Sequence, residues 1–372
     1  MNKVLTAGAA LMLGTTLAHA GGLDRSGQPI GLIFEEGNAI QFTFSSVTPS
    51  VSGVSVGPGL GTGGSGNMAA SYTQLGFGIK YDINDQFSVA LLYDQPFGAN
   101  VDYDPAAAYY AAGSVAVVES TALTGVLRYR LNENFSVHGG VRYQTVNAAV
   151  SKPRVAGYDL TTEASSATGY LVGAAYERPD IALRVALTYN SAITHDIVGT
   201  ETCAAPLAFC AGTTATTSVD TPQSINLDFQ TGVAANTLVF GSIRWAQWTA
   251  FDYAPPVHAG LGRGSLQSYD DDTISYSIGV GRRFNDQWSG ALTVGYEAPQ
   301  GGFAGDLAPV DGQVSLGLGA TYTGEGFKVT AGVRQIWLGD ATTEHPTLAG
   351  VDGAEFTGNT ATAFGLQFTT SF

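Results

Sequence analysis

The chain has 372 residues, of which 44% are hydrophobic and only 13% charged, with 49 glycines and a formal net charge of −15. Soluble domains carry roughly 25% charged residues, so the composition argues against a soluble globule, and the acidic balance argues against nucleic acid, whose phosphates it would repel. After the N-terminal leader no window holds the roughly 18 consecutive apolar residues of a spanning helix; the apolar residues are spread through alternating segments, the compositional mark of an outer-membrane β-barrel.

The chain opens Met1-Asn2-Lys3, continues with an apolar run over 6–14 and reaches Ala18-His19-Ala20. A basic start, a short apolar core and an A-x-A ending read as a secretory signal peptide spanning residues 1–20. Removing its one charged residue, Lys3, takes the net charge to −16. Residues 21–37 follow as a short segment whose apolar patch, Ile30, Leu32, Ile33 and Phe34, is too small for a domain. Its natural refuge is the lumen of a barrel, as a plug ending near Asn38; a frayed terminus is the bland alternative.

The barrel itself is expected over 38–372. Three fragments announce its construction: NDQFSVALLYDQPF from Asn84, NENFSVHGGVRYQTV from Asn132 and NDQWSGALTVGYEAP from Asn285. In each, a polar turn led by Asn precedes an aromatic residue and then period-two alternation. Phe135, Val137, Val141 and Tyr143 oppose Ser136, His138, Arg142 and Gln144, one face for lipid and one for an interior. Many alternating runs reach about ten residues, the length of a tilted membrane strand rather than a sandwich strand. The count is about fourteen antiparallel strands in hairpins, with short turns on the periplasmic side and long outer connections near 48–69, 99–118, 152–166, 199–221, 251–271, 298–311 and 342–358.

Several candidates for chemistry lie along this frame. Gly53-Val-Ser55-Val-Gly57 matches a nucleophile elbow and the Gly59 to Gly64 stretch a dinucleotide loop. Both motifs need a following helix, and Gly-rich loop follows instead. Pro96-Phe97-Gly98 interrupts the third strand, since proline removes a ladder donor; a kink or gap in the wall is one reading, a strand ending at Asp94 the other. Cys203 and Cys210, seven residues apart in an exported chain, read as a disulfide pinning an outer loop. Asp270-Asp271-Asp272 reads as a solvated rim, with a cation as the sharper alternative. The histidines stand singly, so no catalytic set, no metal centre and no cofactor is expected. Arg128, Arg130, Arg142, Arg184, Arg244, Arg283 and Arg334 fall on the interior face with Glu177, Asp228 and Glu297, either as an ion-pair network or as an ionic constriction. The chain ends FGLQFTTSF, and a terminal Phe372 on a period-two strand reads as the signal for the barrel-assembly machinery.

Taken in order, INDQFSVALLYDQPFGANVDY, LRYRLNENFSVHGGVRYQTVNAAVSK, the Trp248-Thr249-Ala250-Phe251 stretch of RWAQWTAFDY, and SIGVGRRFNDQWSGALTVGYEAPQ resemble the FadL family of outer-membrane long-chain fatty acid and hydrocarbon transporters, over nearly the whole mature chain. The resemblance implies a monomeric fourteen-stranded barrel in the outer membrane of a Gram-negative bacterium, among its lipid and lipopolysaccharide. It further implies an N-terminal hatch, capture of a hydrophobic ligand by outer loops, an apolar internal site, and lateral exit at a kinked third strand. On that pattern Ile30, Leu32, Ile33, Phe34 and Asn38 form the hatch and ligand site, Pro96, Phe97 and Gly98 the lateral gate, and Leu207 and Phe209 the tip of the capture loop. The family's Asn-Pro-Ala before the first strand is here Gly37-Asn38-Ala39 after a shortened segment. That difference, with the interior arginines, keeps a general diffusion porin for small polar solutes as the alternative function.

Overall fold

The structure, a computed structural model, describes residues 22–204, 210 and 212–372. The expected signal peptide and the loop-tip residues Leu207 and Phe209 lie outside them.

Fourteen antiparallel strands close into a barrel. They are β1 (Ala39–Ser50), β2 (Tyr72–Asp82), β3 (Phe87–Asp94, resuming over Gly98–Asp102), β4 (Val115–Arg130), β5 (Phe135–Lys152), β6 (Ser165–Arg178), β7 (Leu183–Asn190), β8 (Ser224–Ala234), β9 (Thr237–Ala246), β10 (Thr273–Arg283), β11 (Trp288–Glu297), β12 (Gln313–Thr323), β13 (Phe327–Leu338) and β14 (Thr360–Ser371). Each pairs with its chain neighbour, and β1 pairs with β14 from Ala39↔Ser371 to Ser50↔Thr360, which removes the free edges.

The repeated fragments explain the short turns. The Asn84 side-chain oxygen accepts from the Gln86 and Phe87 N–H at 2.9 Å each, and Asn132 and Asn285 do the same for Asn134/Phe135 and Gln287/Trp288. An Asx turn therefore starts each returning strand. The aromatics that follow pair across strands, Phe87 with Tyr129, Phe135 with Tyr176 and Trp288 with Tyr322, and line this end of the barrel. Above them the outward face is apolar and open: Leu75, Leu127, Val141, Leu187, Ile278 and Leu318 are all exposed. Their partners one residue along, including Ser88, Thr124, Arg142, Gln144 and Thr188, are buried inside.

The long connections differ from simple loops. Residues 193–202 and 213–221 form a hairpin that also pairs with 158–162, so the expected loop from 199 is strand as far as Thr202. Cys203 and Cys210 stand at its end, paired, with Cα atoms 5.0 Å apart. The Gly53 to Gly57 motif is an edge strand (Gly53–Ser55) paired with Asp352–Phe356, in a four-stranded sheet completed by Phe303–Ala304 and Ala341–Glu344. Glu201 fastens the 251–268 connection to the hairpin, accepting from the Val257 and His258 N–H and from the Tyr158 hydroxyl.

The lipid-facing band sets an energetic test. Leu292, midway along β11 and 42% exposed, faces outward. Leu292→Arg is expected to destabilise the barrel by about 2–4 kcal/mol in a reversible lipid-vesicle refolding titration. An effect near zero would mean that this face does not contact lipid.

Candidate functional site

Residues 22–38 run inside the barrel, and charge fixes them there. Asp24 pairs with Arg244 of β9 at 2.6 Å, and Arg244 also donates to the Gly27 carbonyl, Ser224, Asn226 and Gln28. Phe34 sits between two guanidinium groups, Arg128 and Arg184, whose Cζ atoms lie 4.7 and 4.9 Å from the ring centre. Ile30, Leu32 and Ile33 pack with Ala39, Ala90, Leu92, Val126 and Leu171 into one apolar cluster. Lys328 meets Glu35, and Lys80 donates to the Gly37 carbonyl. The contacts of Phe34, Glu35 and Gly37 gather at the end that carries the short turns, which the segment covers from within, whereas Asp24 meets Arg244 near the other end of β9.

The interior arginines thus divide by role. Arg244, Arg128 and Arg184 hold the N-terminal segment, Arg128 also pairing with Glu177. Arg142 is tied to Thr124 and Asn190 within the wall. Arg283 bonds Asn236 at the exposed end.

β3 breaks at Pro96, as the missing N–H requires, and then resumes. Asp94 lies opposite Ala122 of β4 while Gly98 lies opposite Glu119, so β3 spends one extra residue across the interruption. On its other side β3 leaves β2 beyond Tyr93↔Phe77 and rejoins the chain only at Ala69↔Val101. A window in the wall results, bridged by Gln95, whose side chain accepts from Leu75 N–H at 2.9 Å and whose carbonyl accepts from Gln74 at 3.1 Å.

Two sources satisfy the backbone groups that the break frees. The N-terminal segment supplies the first: Arg25 and Ser26 N–H donate to the Pro96 carbonyl, and Gly98 N–H donates to the Leu23 carbonyl. Ser120 of β4 supplies the second, its hydroxyl accepting from Phe97 N–H at 2.8 Å and donating to the Phe97 carbonyl at 2.7 Å. Arg25 then stands in the window, over the Tyr72 ring at 4.0 Å and bonded to Asn100 at 2.6 Å. A Cβ on Gly98 would meet that guanidinium at 2.5–2.7 Å, so a side chain there would displace Arg25 from this position.

Two cavities flank the segment. The lower, of about 220 Å³, is lined by Ile30, Leu32 and Phe34, by the window edges including Leu75, Phe77, Tyr93 and Gln95, and by Arg334. Its far wall is made of Gly317, Gly319, Gly332 and Gly365 on β12–β14, whose missing side chains leave the room. The upper, of about 70 Å³, is lined by Ala99, Ala116, Val118, Val146, Val150, Ile197, Val219 and Phe251 among others. Leu23, Phe97 and Trp248 form its floor, Phe97 meeting Trp248 edge-on at 5.7 Å.

Of the residues that the sequence singles out, Ile30, Leu32 and Phe34 line the lower cavity and Phe97 the upper, while Ile33 is wholly buried in the apolar cluster. Pro96 and Gly98 frame the break. Asn38 is a fastener, accepting from the Asp82 and Phe372 N–H groups. The Asp270 to Asp272 run yields one structural acceptor, Asp272, bonded to Trp245 and Thr249, and no metal-binding group of side chains stands among the described residues. Asp24, Arg25 and Ser120 carry no local signal of their roles in the sequence. Trp248 stands beyond the end of β9, in the 3-10 turn Trp248–Ala250, so strand parity does not place it either.

A family model described as "Outer membrane protein transport protein (OMPP1/FadL/TodX)" matches residues 29–372. Among solved structures, a Pseudomonas aeruginosa FadL homologue is similar at 18% identity, over 95% of this chain and 96% of that one, with a TM-score of 0.76. The P. putida toluene transporter TodX follows at 11% identity, 92% of each chain and a TM-score of 0.65, and the Ralstonia pickettii toluene transporter TbuX at 11%, 91% and 90%, and 0.60. No curated protein sequence matches the chain.

Two outcomes test this geometry. Arg244→Met removes the ion pair to Asp24 and the further bonds to Gly27 and Gln28 of the segment; loss of one partner of a buried pair costs about 3–5 kcal/mol, so residues 22–34 are expected to become accessible to protease in the folded barrel. Unchanged protection would mean that Arg244 does not hold them. In the outer connection, burial, with Lys152 and Arg263 nearby and Glu201 opposing them, pushes the His258 imidazole down to about 4, where Nδ1 faces the Gly264 carbonyl. Between that value and the ordinary 6.5 the unfolded connection binds the extra proton, so its stability falls as pH falls through this window. Amide exchange over 255–266 is expected to be faster at pH 4.5 than at pH 7 after correction for intrinsic rates; equal corrected rates would contradict it.

Proposed function

The chain belongs to the OMPP1/FadL/TodX family of outer membrane transport proteins, and on that premise we propose that it takes up small hydrophobic molecules, fatty acids or related hydrocarbons, through the two cavities and releases them sideways through the window between β2 and β3. The family is one of transport channels of the Gram-negative outer membrane, and no reaction is needed for such transport. The observation that carries the reading is the shared hydrogen bonding of residues 23–26 with the β3 break. The element that covers the straight route is the same one that closes the lateral route.

The path follows the surfaces. A ligand taken from the outer loops enters the upper cavity, whose wall is almost wholly apolar. Displacing Leu23 and Phe97 admits it to the lower cavity, which the membrane-facing residues Leu75, Phe77 and Tyr93 border. Residues 22–38 act as the hatch, and the apolar cluster around Ile33 keeps the periplasmic end shut. Exit into the bilayer spares the ligand from re-entering water, worth roughly 0.8 kcal/mol per methylene.

Entry favours uncharged molecules, since Lys152, Arg154 and Arg263 are the basic residues of the outer end of an otherwise acidic surface. A second reading, an amphiphile with an anionic head, is favoured by Arg334, whose Nη1 is buried at the lower cavity without a hydrogen-bond partner among the described residues.

Planar-bilayer conductance and hydrocarbon uptake together test the proposal. The wild-type barrel is expected to be electrically silent while vesicles carrying it accumulate toluene. Deletion of Pro96 removes the extra residue of the break and is expected to lower uptake at least tenfold without loss of folded barrel. A steady ohmic current in the wild type would establish the porin instead, and uptake unaffected by the deletion would remove the lateral route.

A further inference from the structure

Building on the uptake reading, we propose that residues 303–310 form a lid over the upper cavity, hinged at Gly301, Gly302 and Gly312 and latched by the Tyr103 and Tyr110 hydroxyls, which swings aside to admit a hydrophobic molecule. Two outer connections reach over this cavity. The 251–268 connection supplies Phe251, Tyr253, Leu266 and Gln267 to its lining, and the 298–311 connection supplies Leu307. The first is fastened through its backbone, since Glu201 accepts from the Val257 and His258 N–H groups and the Tyr253 carbonyl accepts from Leu266 N–H. The second is held by side chains. The Tyr110 hydroxyl donates to the Asp306 carboxylate at 2.5 Å and lies 2.7 Å from the Thr343 hydroxyl, while Tyr103 donates to the Asp306 carbonyl at 2.6 Å. One phenol therefore joins three outer connections. Burial, with Asp306 beside it, pushes that phenol up, so it keeps its proton and donates. Tyr109 packs between the two latch rings, with centres 5.3 and 4.4 Å away, and holds them in place.

Little else ties the lid down. Its pairing with the rest of the chain is a two-residue parallel ladder, Phe303↔Thr342 and Ala304↔Thr343. The Ala308 and Val310 N–H groups turn back on Gly305 and Ala308 within the lid itself. Its base, in contrast, is clamped. Gln300 and Gly301 N–H donate to the Asp311 carboxylate at 2.7 and 2.8 Å, and Gly339 N–H, just past β13, donates to the Gly312 carbonyl. Gly301, Gly302 and Gly312 have φ of +79°, +78° and +73°, backbone that glycine enters and leaves without strain. Motion is thus confined to the residues between the glycines, the arrangement of a hinged lid. Opening withdraws Leu307 from its apolar contacts, and an entering apolar molecule restores them. The ligand therefore offsets part of the cost of its own entry.

Thiol labelling reads the motion without any ligand. Val219 lines the upper cavity and is 5% exposed, and Cys203 is paired with Cys210, so Val219→Cys places one free thiol behind the lid. Adding Tyr110→Phe, which deletes a single oxygen and with it the bonds to Asp306 and Thr343, is expected to speed its reaction with a small methanethiosulfonate about tenfold, one net hydrogen bond. Toluene uptake reads the function. A Cβ on Gly305 would lie 3.3–3.8 Å from the Gln267 side-chain amide, so Gly305→Cys with Gln267→Cys can be bridged by a short bifunctional thiosulfonate that pins the lid to the fixed connection. Bridging is expected to lower toluene accumulation in vesicles at least tenfold and reductant to restore it, with the wild type carried through both treatments. Unchanged labelling in Tyr110→Phe, or full uptake by the bridged barrel, would overturn the proposal. A wild type that accumulates no toluene while Tyr110→Phe still speeds labelling removes the uptake reading and leaves the lid standing.

Discussion

A strand that faces lipid has no water to complete its hydrogen bonds, so every N–H and C=O must find a partner within the protein. Twelve strands meet this through their neighbours along the ladder, and β2 does so except where it borders the window. β3 does not: Pro96 has no N–H, and the strand parts from β2 between Tyr93 and Val101. The chain repairs the defect with groups from elsewhere, the Ser120 hydroxyl at Phe97 and the backbone of Leu23, Arg25 and Ser26 at Pro96 and Gly98. A hole in a membrane wall is tolerable only because another segment occupies it. The N-terminal segment and the window are accordingly one hydrogen-bonded unit, and neither is stable in the closed arrangement without the other.

The same logic governs the charges. Guanidinium groups inside a barrel are costly unless paired or well hydrogen-bonded, and the two uses seen here are distinct. Arg142 stays within the wall on neutral partners, whereas Arg244 collects Asp24, Gly27 and Gln28 from the incoming segment. The ion pair gives the segment a register: a shift of one residue would carry Asp24 away from Arg244 and Phe34 out of the gap between Arg128 and Arg184. Apolar packing around Ile33 then adds affinity to a position that charge has already specified.

How much of this can be read from sequence follows from the range of the interactions involved. The strands are local, since period-two alternation and Asn-led turns such as Asn84, Asn132 and Asn285 each act within a few residues; all fourteen strands fall where the alternation puts them. The break at Pro96 is equally local, because the cause is proline itself. What escapes is long-range. Asp24 meets Arg244 across 220 residues, the edge strand Gly53–Ser55 finds its partner at Asp352–Phe356, and no periodicity encodes such pairings. The interior arginines are visible as a face but not as two groups, because their division depends on where the N-terminal segment docks.

A channel for hydrophobic molecules faces a constraint that a porin does not. Its ligands gain free energy merely by leaving water, so a large apolar chamber would retain them: a ligand that buries about 200 Å² gains on the order of 5 kcal/mol at roughly 25 cal/mol/Å², before the costs of association. Release into water would forfeit that gain, whereas release into lipid leaves it nearly unchanged. On the proposed lateral route, binding and exit would therefore have similar free energies. An upper cavity of about 70 Å³ keeps the apolar gain on that route small, so that a ligand bound there is not trapped on its way to the bilayer.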